Sequence, residues 1–137
     1  MADQPNTVPT DADVGEFVAG VEPEKRRAEA GLLVELMSDA TGERPVLWGP
    51  SIVGFGRRRL TYQSGRTIDW FRVGFAPRRA QTVLYLSGGL DGYQDLLAGL
   101  GRHSTGKGCL YLKDVRAADQ GTLRELVGRS YDWEQPG

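Results

Sequence analysis

Apolar residues along this chain first recur at helical spacing. Val14, Phe17, Val18 and Val21 follow a capping-box-like start at Thr10 and Asp13, which predicts a short amphipathic helix. Pro23 suits the first position of a second helix, with Glu22 and Glu24 favourable near its positive end. Leu32, Leu33, Leu36, Met37 and Ala40 give that helix a buried stripe, and Gly42 gives it a left-handed stop. From Arg44 the period becomes that of strands. Ile52 to Phe55 and Leu60 to Tyr62 read as one strand whose parity slips across Gly56-Arg57-Arg58, as a bulge requires, and Gln63-Ser-Gly-Arg66 is a turn. The clearest alternation follows: Phe71, Val73 and Phe75 point one way, and Trp70, Arg72, Gly74 and Ala76 the other, until Pro77 ends the strand. Thr82 to Leu86 and Cys109 to Lys113 are further strands. Between them lies a helix with Tyr93, Leu96, Leu97 and Leu100 inward. A closing helix capped by Asp119 carries Leu123, Leu126, Val127 and Tyr131.

A meander of strands with helices gathered around it predicts an α+β two-layer sandwich: a mainly antiparallel sheet of four to five strands, with N-terminal, middle and C-terminal helices on one face. A single domain is expected over residues 10–132, between tails at 1–9 and 133–137. If Phe71, Val73, Phe75, Leu110 and Leu112 meet the helices, the opposite face shows Gly54, Gly74, Arg72, Tyr85, Cys109 and Tyr111, with Lys107 at its edge. Glycines on that face leave room for a ligand to approach the backbone.

Composition narrows the function classes. A chain of 137 residues has the length of one domain. Its net charge of -1 provides no field able to hold a nucleic-acid backbone, so nucleic acid is not expected as a partner. The single cysteine forms no internal disulfide, and no apolar run reaches bilayer length. The start of the chain lacks a signal-peptide pattern, so the expectation is a cytoplasmic protein without a membrane partner, monomer or homodimer.

Candidate chemistry lies mostly in cations. Gly101-Arg-His-Ser-Thr-Gly106-Lys107-Gly108 spells a P-loop up to its last position, but Gly108 stands where a magnesium-binding hydroxyl belongs, and the order helix, loop, strand is reversed. The segment is then either a tight connection with solvated cations or a small anion nest beside Arg102 and Lys107. Arg78 and Arg79 follow a rigid proline and read as a sheet-rim pair or an anion clamp. Trp48 and Tyr62 are rim aromatics or stacking platforms, and Arg57-Arg58-Arg59 is a solvated or edge-protecting run. His103 and Cys109 have no orienting third group for catalysis and are too few for a zinc site. Glu35 and Asp39, at i and i+4 with Glu43 beyond, form either a solvated acidic face or a weak site for a hard cation.

Several ordered blocks resemble the YdhG-like family of bacterial proteins of unknown function. They are Glu16-Phe17-Val18, Pro23 to Arg27, Ala40 to Pro45, Trp48-Gly49 with Ile52 to Gly56, Gly74 to Arg79, and Leu100 to Tyr111. The resemblance implies a frataxin-like architecture, and one branch of the family is described as an intracellular iron chaperone. The expected function is a non-catalytic binding domain, without a cofactor, for a small anionic ligand or a protein partner. Trp48, Tyr62, Arg72, Gly74, Arg78, Arg79, Lys107 and Tyr111 are its candidate residues. The alternative implied by the resemblance is iron binding or delivery, for which Glu35, Asp39 and Glu43 are the candidates.

Overall fold

The structure is a computed structural model, described here for residues 7–136. Helix α1 (Val14–Ala19) is capped by Asp13, whose carboxylate accepts the Glu16 N–H at 3.0 Å. Helix α2 (Glu24–Thr41) ends at Gly42, where φ of 73° lets the Gly42 N–H return to the Ser38 carbonyl at 2.8 Å. Asp119 caps α4 (Gln120–Asp132) through the Thr122 N–H at 2.9 Å, and the bond from the Thr122 hydroxyl, followed by this one, holds the Asp119 carboxyl below its ordinary range. Between the long helices lie the strands β1 (Val46–Trp48), β2 (Ile52–Phe55), β3 (Arg58–Thr61), β4 (Thr67–Trp70), β5 (Val73–Pro77), β6 (Thr82–Leu86), β7 (Ser104–Thr105) and β8 (Cys109–Leu112). The predicted middle helix is a 3-10 turn at Asp91–Tyr93 running into the short α3 (Gln94–Leu97).

The α+β class and the antiparallel sheet agree with expectation, and the sheet is larger than expected. Six strands run in the order β1-β2-β5-β6-β8-β7, and β3 and β4 form a separate two-stranded ribbon. Leu47, Val53, Phe75, Leu84 and Leu110 lie in one register row and face α2 and α4 together with Phe55, Val73, Leu86 and Leu112. Leu33, Met37, Leu123, Leu126 and Val127 close this core from the helix side. No helix among the described residues is long and apolar enough to cross a membrane.

The strand predicted from Trp70 to Ala76 is broken. Gly56, at φ 75°, turns the chain out of the main sheet after β2, and Phe71-Arg72 turns it back, with the Arg72 N–H on the Phe55 carbonyl at 3.1 Å. Phe71 therefore leaves the alternation of Val73 and Phe75 and lies on the face away from the helices, beside Trp48, Ile52 and Ala76. That face is correspondingly less open than expected. Gly54 and Gly74 are register neighbours, and the space above them is filled from within. A Cβ at Gly54 would stand 2.7 Å from Trp48, and one at Gly74 would stand 2.9 Å from the Val53 carbonyl and 3.0 Å from the Phe71 ring. These glycines admit the chain's own aromatics, packed edge to face at 5.5 Å between Trp48 and Phe71.

Parts of the expected tails also pair. The Thr10 N–H donates to the Leu47 carbonyl at 2.9 Å, and the Gly49 N–H donates to that of Val8 at 2.8 Å, so residues 8–10 cover the β1 edge. Gln135 exchanges two hydrogen bonds with the Thr61 backbone, at 3.0 and 2.9 Å. Residues 1–6 and 137 of the expected tails lie outside the described residues.

Helix and sheet layers are joined by a buried ion pair that periodicity does not reveal. Arg26 and Glu29, with side chains 6% and 1% exposed, pair within the first turns of α2. Glu29 also accepts the Thr82 hydroxyl at 3.0 Å and the Val115 N–H at 2.9 Å, and Arg26 donates to the carbonyls of Lys113 at 3.0 Å and Ala80 at 3.3 Å.

Removing Glu29 would strand a buried guanidinium. Glu29→Ala is therefore expected to destabilise the fold by about 3–5 kcal/mol in urea denaturation, and a loss below about 1 kcal/mol would contradict this role. Gly74→Ala is expected to cost about 1–3 kcal/mol through overpacking against Val53 and Phe71, measured in the same way. A neutral substitution there would show that the space is empty.

Candidate functional site

The cations expected on the open face do not meet there. Arg72 turns to the C-terminal end of α4: Nη1 donates to the Tyr131 carbonyl at 3.0 Å and to Glu134 at 3.3 Å, and Nε donates to the Arg57 carbonyl at 3.1 Å. Arg58, expected in a solvated or edge-protecting run, is buried beside it. It donates to the carbonyls of Ser130, at 3.3 Å, and Trp133, with its guanidinium 5.0 Å from the Trp133 ring. Burial, and next the charge of Arg72, lower the Arg58 pKa from its ordinary value. These two cations lie at the C-terminal end of α4, where Arg72 bonds the Tyr131 carbonyl and Arg58 bonds the Trp133 carbonyl and shares that of Ser130 with the Trp133 N–H.

Arg78 and Lys107 lie at opposite ends of the sheet. Arg78 follows Pro77, which pairs with Thr82, and donates to the Ser51 hydroxyl at 2.8 Å. Lys107 precedes Gly108, whose carbonyl accepts from Leu86 at 3.0 Å. Thr82 and Leu86 are separated by roughly 13 Å of strand, so Arg78 and Lys107 do not form one cationic rim. Arg79 is exposed in the β5–β6 turn. Trp48 is 1% exposed, which leaves it no face for stacking a ligand, and Tyr62 is 46% exposed in the β3–β4 turn with the Arg66 guanidinium 5.5 Å from its ring.

The carboxylates are also dispersed. Asp39 pairs with Arg124 at 3.4 Å, Glu43 accepts the Tyr131 hydroxyl, and Glu35 is exposed. Among the described residues no group of three His, Cys, Asp or Glu side chains is placed to hold a metal ion. His103 precedes β7 while Cys109 opens β8 across the hairpin, and the His103 ring meets the Gly101 carbonyl at 2.7 Å.

A different group of cations does converge. A groove of about 720 Å³ is lined by Lys25 from the first turn of α2, by Arg102, His103 and Ser104 entering β7, by Tyr111 on β8, and by Lys113, Asp114 and Ala117 beyond it. Hairpin pairing explains half of it: Ser104 stands opposite Tyr111, so the residues preceding β7 lie beside those following β8. Tyr111 and Lys113 have the same strand parity. The Tyr111 hydroxyl lies over Gly106, where a Cβ would stand only 2.8 Å away. The neighbouring Cys109 sulfur and partial desolvation push the Tyr111 phenol above its ordinary range.

Apart from His103, the residues Lys25, Arg102 and Lys113 against Asp114 give the groove two net positive charges. Lys25 and Asp114 pair at 3.8 Å, whereas Arg102 and Lys113 form no ion pair with a described residue. Two cations from separate segments facing one concavity can hold an anion, while Ser104 and Tyr111 add hydroxyl donors. Of the expected ligand residues only Tyr111 lies here. Arg102 and His103 stood out in the sequence within the P-loop-like segment. Lys25, Lys113 and Asp114 did not, because the Arg26 bond that fixes Lys113 beside α2 spans 87 residues.

A scan against protein-family models, a search of curated proteins and a search of solved structures found no match to this chain.

Proposed function

We propose that this protein is a binding domain for a small anionic ligand and that the ligand occupies the groove of Lys25, Arg102, His103 and Lys113 instead of the open sheet face. The observation that carries the reading is that Arg102, before β7, and Lys113, after β8, line the same 720 Å³ groove and form no ion pair among the described residues. The volume is of the size that holds small molecules. Arg102 supplies a planar donor fork, Lys113 and Lys25 supply mobile point charges, and Ser104 and Tyr111 supply neutral donors. A YdhG-like, frataxin-like relationship is part of the proposal, supported by α2 and α4 lying side by side on one face of an antiparallel sheet.

The test is calorimetric titration of inorganic phosphate at fixed low salt. Arg102→Ala combined with Lys113→Ala is expected to weaken binding by at least about tenfold. The melting temperature should barely move, because both residues are exposed and form no ion pair with a described residue. Arg78→Ala combined with Lys107→Ala is expected to leave binding unchanged. Failure of the wild type to bind phosphate, or loss of binding only in the second pair, would overturn the reading.

A further inference from the structure

The groove contains one residue of the wrong sign for an anion site, Asp114, and its setting is asymmetric. Asp114 is held on both sides. Its carboxylate accepts the N–H groups of Arg116 at 3.1 Å and Ala117 at 3.3 Å, the preceding Lys113 carbonyl is tied to buried Arg26, and the following Val115 N–H is tied to buried Glu29. Its partner Lys25 has a flexible four-carbon stem and meets Asp114 only loosely, at 3.8 Å, with the two side chains 54% and 50% exposed. Asp114 therefore stays in place and Lys25 is free to move. Lys25 and Asp114 also separate the groove from a smaller one of about 370 Å³ that reaches Glu24 and Arg116, so a shift of Lys25 changes the border between the two.

Resting on the anion-groove reading, we infer that Asp114 is an internal competitor for Lys25, so that the groove favours a doubly charged phosphate monoester over a monocarboxylate. A monocarboxylate approaching Lys25 replaces one carboxylate by another, an exchange of like for like that adds no attraction at that ammonium. A dianion outcompetes Asp114 because its Coulomb attraction to Lys25 is doubled at the same distance, and its two charges match the net charge of the groove. Arg102 and Lys113 then hold the remaining phosphate oxygens, and Asp114 keeps its hydrogen bonds to the turn. The carboxylate thus imposes on every anion the cost of displacing it from Lys25, and a dianion has the larger attraction to the three cations with which to offset that cost.

The experiment measures binding of methyl phosphate and of acetate at about pH 8, where the phosphate monoester is a dianion. The proteins are the wild type, Asp114→Asn, Lys25→Ala and the double variant. Asparagine keeps an oxygen for the Arg116 and Ala117 N–H groups, and melting temperatures verify that each variant is folded. In the wild type, methyl phosphate is expected to bind at least about tenfold more tightly than acetate. Asp114→Asn is expected to tighten acetate binding about fivefold, the equivalent of about 1 kcal/mol for release of an exposed ion pair. That gain should shrink to less than about twofold in the Lys25→Ala background, as coupled residues require. Equal affinity for the two ligands in the wild type would overturn the inference, as would no gain in Asp114→Asn or the same gain without Lys25. Each of these leaves the anion groove intact, whereas no binding of methyl phosphate by any of the proteins would remove the groove reading itself.

Discussion

The buried pair of Arg26 and Glu29 is the interaction on which the arrangement of this molecule depends. An ion pair this well excluded from water is tolerated only when most of its remaining donors and acceptors are satisfied, and here the Arg26 Nε is the one side-chain nitrogen or oxygen of the pair without a hydrogen-bond partner among the described residues. Here the partners come from three other parts of the chain: the β5–β6 turn at Ala80, the start of β6 at Thr82, and the segment after β8 at Lys113 and Val115. The pair therefore fixes α2 relative to the sheet in rotation as well as in distance, which apolar contacts alone do less sharply. The same bonds place the residues of the groove. Lys25 precedes Arg26, while Lys113 carries one of the anchored backbone groups and Asp114 lies between it and the other, the Val115 N–H.

A second constraint sorts the arginines into structural and available groups. Arg58 and Arg72 face the carbonyl end of α4, where the helix dipole and the terminal carbonyls favour cations. Both are partly or fully withdrawn from water as a result. Arg102 and Lys113 form no ion pair with a described residue. They share a groove at the β7 and β8 side of the sheet, away from the aromatic cluster of Trp48, Trp70 and Phe71, whereas Arg79 and Lys107 are exposed elsewhere on the surface. On the far face of the sheet, two glycines in register serve packing, because the excursion into β3 and β4 returns an aromatic ring above them.

Much of the fold was legible from short-range features of the chain. The period of the apolar stripe, Gly42, Asp119 and the alternation from Val73 to Phe75 act within one or two turns of a helix or along one strand, so their consequences are local. They determined the α+β class, the antiparallel pairing and the two long helices. Position along the chain misled where a strand changed sheets: Phe71 continues the alternation of Val73 and Phe75 in sequence, yet the backbone turns at Phe71-Arg72 and puts Phe71 on the opposite face from them.

The candidate site was legible only in part. Tyr111 belongs to a regular strand, and Arg102 and His103 to a segment conspicuous for its glycines, so each could be singled out alone. Their meeting with Lys25 and Lys113 depends on a helix and a strand end joined by hydrogen bonds across most of the chain. The sequence by itself determined which elements form, because helix and strand periodicities, caps and glycine turns are decided by neighbouring residues. Only the tertiary structure decided which cations neutralise carbonyls, which glycines are filled and which charges share a groove, because those outcomes depend on distances between residues that the chain brings together only when its layers have packed.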